Sequence, residues 1–306
     1  MTSVRCSLAL IVAGVIIVAP GVLAQETAPL VLRAATSVRG AGFGRAWTAA
    51  TGPDMIFHNP AQVPARSGHS LSVSRFGSAA TLGMLATSTS AGRFAIGAGV
   101  EWLDYGATPG RFPARPADLT VRGPLDATSF SATAAVATTL LGVRTGAAIR
   151  YAEDRVDGER SGKASVDIGV ARDLGRVTVG LAAQHLGSDI RQGNVAADQP
   201  TRVSAAAMTE VIPLGVWFDL VLAAGVTWER HRDLSPGGGA ELAWVPVQGW
   251  TLAARAGVRR VEGDGDPSEH PFSAGASFGV DRFWLDYAFE PVRGTGSIHR
   301  VGIRLQ

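Results

Sequence analysis

Histidines at 58, 69, 185, 231, 270 and 299 are the side chains of this chain best suited to acid–base or metal chemistry, and no pair of them has metal-ligand spacing. His58 follows Asp54 closely enough to suggest an acid–base pair, although hydrogen bonding within a packed segment explains it more simply. Gly40-x-Gly42-x-Gly44 superficially matches a dinucleotide loop. Such a loop needs a preceding buried strand and a third glycine at a helix start, and neither is present. No serine sits in a Gly-x-Ser-x-Gly elbow. The only cysteine is Cys6. These observations indicate no enzyme, no metal and no cofactor.

The remaining chemistry is charge. Arginines 93, 144, 150, 176, 255, 259, 282, 300 and 304 fall on the same alternate face of their segments as Glu101, Asp167, Asp219, Asp286 and Glu290. On an inward face such charges are expected to pair, because an unpaired charge in a narrow lumen is costly. A selectivity lining is the functional alternative. Arg93, Glu101, Arg144, Arg150, Asp167, Arg255 and Asp286 are the principal candidates for lumen charges.

The elements that carry these residues alternate with period 2. Phe283, Leu285, Tyr287 and Phe289 point one way, and Arg282, Trp284, Asp286 and Glu290 the other. Val301, Ile303 and Leu305 oppose Arg300, Gly302 and Arg304; Phe94, Ile96, Val100 and Trp102 oppose Arg93, Gly97, Gly99 and Glu101. The second face is Gly, Ala and Ser dotted with Arg, Asp and Glu, which suits the crowded lumen of a closed barrel. The first face, with Trp102, Tyr151, Trp228, Trp244 and Trp250 toward segment ends, suits lipid and its interfaces.

About fourteen such segments run from 68 to 306, many of them ten residues or longer, the length of a tilted membrane strand. Tight connections centre on Thr89 to Ala91, Leu141, Leu174, Pro213 to Gly215, Gln248 and Asp281. Longer ones are expected at Asp104 to Asp126, Asp154 to Gly162, Gly187 to Pro200, His231 to Ser235, Glu262 to His270 and Pro291 to Gly296. Short turns on one side, long loops on the other and an even strand number describe an outer-membrane barrel. A soluble β-sandwich or propeller would require neither this strand length nor this loop asymmetry.

Composition agrees. The chain has 306 residues and is 46% hydrophobic but only 18% charged, with 38 glycines and a single lysine, Lys163. Met1 to Ala24 reads as a signal peptide: Arg5 precedes the apolar run Leu8 to Val18, and Val22-Leu23-Ala24 gives the small-residue cleavage pattern. This leader has one arginine and no acid, so the expected mature chain carries 27 basic and 26 acidic side chains, a net charge of +1, and no cysteine. That balance excludes a nucleic-acid surface and a disulfide framework. Beyond the leader no uninterrupted apolar run of about 18 residues indicates a membrane helix.

Residues 25–67 show no alternation. Arg45 to Ala50 is expected to form a short helix, Gly52-Pro53-Asp54 a turn, and Asn59 to cap a helical turn opened by Pro60. Gly42-Phe43-Gly44-Arg45-Ala46-Trp47-Thr48-Ala49, followed by Asn59-Pro60-Ala61-Gln62-Val63 and a first strand near His69, resembles the start of FadL-type outer-membrane proteins. That group includes the fatty-acid channel and the PorV/PorQ branch. The resemblance covers about 25 residues in motif and the whole mature chain in architecture. It departs in having Gln62 after Asn-Pro-Ala and Gln306 where many barrels end in an aromatic.

The resemblance implies an all-β transmembrane barrel at 68–306 with a hatch at 25–67 inside the lumen, the hatch motif being Gly42, Gly44, Arg45, Ala46, Asn59, Pro60 and Ala61. It also implies a kink near Gly97 and Gly99 that opens the wall sideways, although close packing of the hatch explains the same glycines. Bacterial outer membrane is the implied location, with outer-membrane lipid and the barrel-assembly machinery as partners. Two functions follow from it. One is transport of a hydrophobic, fatty-acid-like small molecule, which calls for a greasy pocket between hatch and wall. The other is a docking or shuttle component among protein-secretion partners.

Overall fold

The structure, a computed structural model, describes residues 30–34, 37–77, 80–106, 127–156, 159–188, 190–192, 195–197, 199–232, 234–260, 271–292 and 296–306. The expected leader and cleavage site, and the loops expected around 107–126 and 262–270, lie outside the described residues.

Fourteen long strands form one antiparallel sheet that closes on itself. They are β1 (Gly68–Phe76), β2 (Ala80–Ala91), β3 (Phe94–Asp104), β4 (Ala127–Leu140), β5 (Val143–Val156), β6 (Glu159–Leu174) and β7 (Val177–Leu186). The second half comprises β8 (Arg202–Thr209), β9 (Phe218–Glu229), β10 (Ser235–Val247), β11 (Trp250–Arg259), β12 (Phe272–Val280), β13 (Phe283–Val292) and β14 (Gly296–Leu305). Each pairs with its sequence neighbour, and β1 closes the ring on β14 through His69↔Leu305 to Phe76↔Ile298. A three-residue strand, Ile212–Leu214, pairs with the start of β9 in the β8–β9 turn. Closure leaves no sheet edge, so every wall strand finds its backbone partners in the wall itself, which is what a bilayer demands.

The burial pattern is inside out relative to a soluble sheet. Leu71 and Val73 are 50% and 51% exposed, whereas Ser70 and Ser72 between them are 4% and 3% exposed. Outward rows of Leu, Val, Ile and aromatic side chains therefore face lipid, and Ala, Ser, Gly and charged residues face the lumen. Trp102, Phe130, Tyr151 and Trp228 lie outward near one end of the wall, and Trp217, Trp244, Trp250 and Phe283 near the other. These are the two interfacial girdles. No described helix is long and apolar enough to cross a membrane.

Two-residue turns join β2 to β3, β4 to β5, β6 to β7, β10 to β11 and β12 to β13, all at the end where β1 begins and β14 finishes. Leu141 and Gly142 have φ of 52° and 77°, the positive values a type I′ hairpin turn needs. This short-turn end is periplasmic in outer-membrane barrels. At the other end one expectation fails. Residues Asp154 to Gly162 were expected to form a loop, but Asp154↔Ser161, Arg155↔Arg160 and Val156↔Glu159 continue the ladder. Facing polar and charged residues above the membrane can pair as strand as readily as they can form loop. The connection from Gly187 to Pro200 carries a small hairpin, Ile190–Gln192 with Val195–Ala197.

Inside the ring lies the N-terminal segment. It begins with a 3-10 turn, Leu30–Leu32, then helix α1 (Val38–Gly42), and two further 3-10 turns, Pro53–Phe57 and Pro60–Gln62. The helix expected at Arg45 to Ala50 is absent. Gly44 and Arg45 take φ of 61° and 64°, which reverses the chain at the start of that stretch. The helix instead occupies the glycine run. Ser37 caps it, accepting from the Gly40 N–H at 3.0 Å.

Candidate functional site

Among the described residues, polar, charged and apolar side chains converge in the lumen, and the inner segment reaches all three. Asn59 fixes its lower half: its Oδ1 accepts from Ala61 N–H at 3.1 Å, and its Nδ2 donates to Thr48 O at 2.8 Å and to Val170 O on β6 at 3.4 Å. Gln62 donates to Ala49 O. Thr48 Oγ1 meets Ser204 Oγ of β8 at 3.0 Å. Higher in the segment, Trp47 is buried against Phe43, ring centroids 5.3 Å apart, with the Arg39 guanidinium 4.9 Å above its ring.

Glycines in the wall make room for this packing. A Cβ on Gly146 of β5 would lie 2.4 Å from both Ala61 N and Pro60 C, that is, inside the backbone of the segment. Gly97 and Gly99 of β3 play the same part, since Cβ atoms there would fall 2.6 Å and 2.4 Å from carbons of Ile56. A kink that opens the wall sideways was implied at these two glycines. β3 pairs without a break to β2, from Thr81↔Asp104 to Ala91↔Phe94, and to β4, from Ala95↔Ala137 to Asp104↔Thr128. Inward contact with Ile56, Phe57 and Val63, rather than a sideways opening, accounts for them.

Charges gather in four clusters. In the first, Arg150 lies between Glu101 at 3.3 Å and Asp167 at 3.0 Å, all three at most 2% exposed. Ser131 donates to Glu101 at 2.6 Å and His185 N–H to Asp167 at 2.7 Å. Arg150 also donates to the Phe57 carbonyl at 3.1 Å, and Gln184 adds a second donor to that oxygen at 2.6 Å. In the second, Arg255 bridges Glu241 and Asp286, Arg304 joins Asp286, and Arg39 of α1 reaches Glu241 at 3.3 Å. In the third, Glu290 is shared by Arg45, Arg259 and Arg300. In the fourth, Glu229 is shared by Arg33, Arg202 and Arg232. Each cluster satisfies buried charge, and each includes a residue or backbone group of the inner segment.

Of the lumen charges expected from sequence, Glu101, Arg150, Asp167, Arg255, Asp286, Glu290, Arg300 and Arg304 are buried there, with Arg259 at the cluster margin. Four lie elsewhere. Arg93 is exposed in the β2–β3 turn, its guanidinium 5.0 Å above the outward Phe94 ring. Arg176 is exposed and donates to Val211 O at 3.1 Å, and Arg282 is exposed and donates to Gln306 O at 2.7 Å. Strand parity placed these three inward, but they occupy turns, where parity lapses. Arg144 pairs with Asp173 at 2.8 and 2.7 Å in a partly exposed position near the short-turn end, and Asp219 is half-buried. Arg39, Arg202, Glu241 and Gln184 were not singled out by sequence. Parity within β8 and β10 carried the signal for Arg202 and Glu241, whereas nothing local marks Arg39.

His58 lies in the inner segment beside Asp54. Burial pushes its pKa down to about 4, opposed by Asp54 and reinforced by Arg202 and Arg150. The folded imidazole therefore stays neutral while an unfolded one takes a proton below about 6.5. Acid between these two values favours release of the segment, by up to about 1.4 kcal/mol per pH unit. Hydrogen exchange of residues 37–63 should accelerate relative to the wall as pH falls from 6.5 to 4, and His58→Asn should flatten that dependence.

No protein-family model matches the chain, and no curated protein sequence matches it. Solved structures do. The toluene transporter TbuX of Ralstonia pickettii superposes with a TM-score of 0.54 over 87% of this chain and 96% of its own, at 12% identity. The toluene transporter TodX of Pseudomonas putida gives 0.58 over 87% and 95%, at 8% identity. The monoaromatic hydrocarbon channel CymD gives 0.56 over 87% and 95%, at 12% identity. The chain has the fold of these channel barrels. At such identities the likeness is one of fold, and the lumen must be read from its own residues.

Proposed function

We propose that this protein is a bacterial outer-membrane barrel that passes small hydrophobic molecules through its lumen, past apolar groups on β2 to β5, when the inner segment moves. The observation that carries this reading is a pair of buried apolar groups on the β2 to β5 side of the lumen. Leu82, Met84 and Ala86 of β2 form a buried apolar column. At the long-loop end it joins Leu103, Ala152, Val31 and Leu32. Toward the short-turn end it joins Ala95, Ala135, Ala137 and Ala148, where Ile56, Phe57 and Val63 of the inner segment pack. Between these two apolar groups Glu101 of β3, paired across the ladder with Met84, joins Arg150 and Asp167, and further ion clusters line β8 to β14.

The greasy space that transport calls for is thus present as a surface but is filled by the segment's own side chains. Passage requires those side chains to give way, and for that the ion pairs and hydrogen bonds that hold the segment to the wall must release it. The toluene and monoaromatic hydrocarbon transport ascribed to the barrels of like fold favours a small apolar cargo. Outer-membrane lipid around the girdles and the barrel-assembly machinery during insertion are the partners this reading entails. A docking role in protein secretion has no specific contact in its favour.

Phe57→Ala removes the ring that covers the Gly99 surface and should raise toluene uptake into proteoliposomes several-fold over the unaltered protein. Uptake indistinguishable from protein-free vesicles, in both proteins, would refute transport.

A further inference from the structure

Between the inner segment and strands β7 to β9 lies a cavity of about 50 Å³, lined by Ser37, Gly40, Ala41, Arg45, Trp47, Thr48, His58, Gln184, Arg202, Ser204 and Thr227. Its size admits one small ion or one or two waters, and no aromatic ring. No carboxylate lines it. Three of its lining side chains carry buried N–H groups with no hydrogen-bond acceptor: Trp47 Nε1, Arg45 Nε and Arg202 Nε. Trp47 is 4% exposed. Arg45 Nε faces Glu290 only at 3.8 Å, and Arg202 meets Glu229 through its other nitrogen at 2.9 Å.

Buried donors without acceptors are expensive, and here they are all of one kind. We propose that this cavity binds a single small monovalent anion of the size of chloride, which bridges Trp47 and Arg45 of the inner segment to Arg202 of the wall. A water molecule would offer the donors an acceptor but would bring two protons that must find acceptors in turn. Three of the four hydroxyls that line the space are already engaged, since Ser37 accepts from Gly40 and Thr48 bonds Ser204, which leaves Thr227 for at most one of those protons. An anion accepts from every donor and places negative charge beside two guanidiniums. It would thereby fasten the segment to the wall at the level of β8, independently of whatever the barrel transports.

The test is anomalous diffraction from crystals of the full barrel grown in bromide. The expected result is one peak within hydrogen-bonding distance of Trp47 Nε1 and the Arg202 guanidinium, lost in Trp47→Phe, which keeps the ring packing and deletes the donor. In detergent, chloride should raise the melting temperature of the unaltered protein above its value in gluconate at equal ionic strength, and should do so less for Trp47→Phe. Water density without an anomalous peak, or a bromide peak that survives Trp47→Phe unchanged, would overturn the assignment.

Discussion

Arg150→Met is expected to lower the stability of the barrel by about 3–5 kcal/mol, the cost of stripping a buried ion cluster of its only cation. Glu101 and Asp167, both essentially unexposed, would be left on the same stretch of wall without a counter-charge between them, and the Phe57 carbonyl would keep only Gln184 as donor. Heat-modified electrophoretic mobility or calorimetry in detergent would register the loss as a lower unfolding temperature. Adding Glu101→Gln and Asp167→Asn to the same protein should recover much of it, because neutral amides no longer require a counter-charge. A single variant as stable as the parent would mean that the cluster is hydrated in solution.

Gly146→Val should have the largest effect on the inner segment itself. The new Cβ would enter the Pro60–Ala61 backbone, and neither the β5 ladder nor a 3-10 turn capped by Asn59 has a flexible side chain to yield. The β4–β5 hairpin alone is held by fourteen residue pairs, Ala127↔Val156 to Leu140↔Val143, so the segment is the partner that moves. Planar-bilayer recordings should then show conductance where the parent is closed, and hydrogen exchange should rise selectively over residues 53–63. Unaltered exchange there would contradict the packing described above.

The wall was legible in the sequence because its signal is local. A lipid-facing row every second residue needs only one strand to be recognised, and Phe283, Leu285 and Tyr287 reveal their face without knowledge of any neighbour. The same reasoning faltered at turns, where Arg93, Arg176 and Arg282 continue the parity of a strand that has already ended. It faltered again at Asp154 to Gly162, where polar composition gives no cue separating loop from strand. The partners within the lumen were not legible, since they are remote in sequence: Arg150 lies 49 residues from Glu101, 17 from Asp167 and 93 from Phe57. Helix α1 was hidden for a different reason. Glycine is a poor helix former, and α1 is held by the Ser37 cap and by close approach to β11 to β14 rather than by propensity. The Asn-Pro-Ala stretch could be read as a cap from its residue types, but not that Asn59 also spans from Thr48 to Val170.

The central claim is that cargo passes only when the inner segment leaves the wall. Thr48 and Ser204 offer a direct way to prevent that movement, because their side-chain oxygens are 3.0 Å apart across the segment–wall boundary and the chain has no cysteine other than Cys6. Toluene uptake should be measured with the Thr48→Cys, Ser204→Cys double variant in proteoliposomes, oxidised and then reduced. The account predicts that the disulfide abolishes uptake and that reduction restores it. Uptake that proceeds unchanged with the segment covalently fixed to β8 would contradict it.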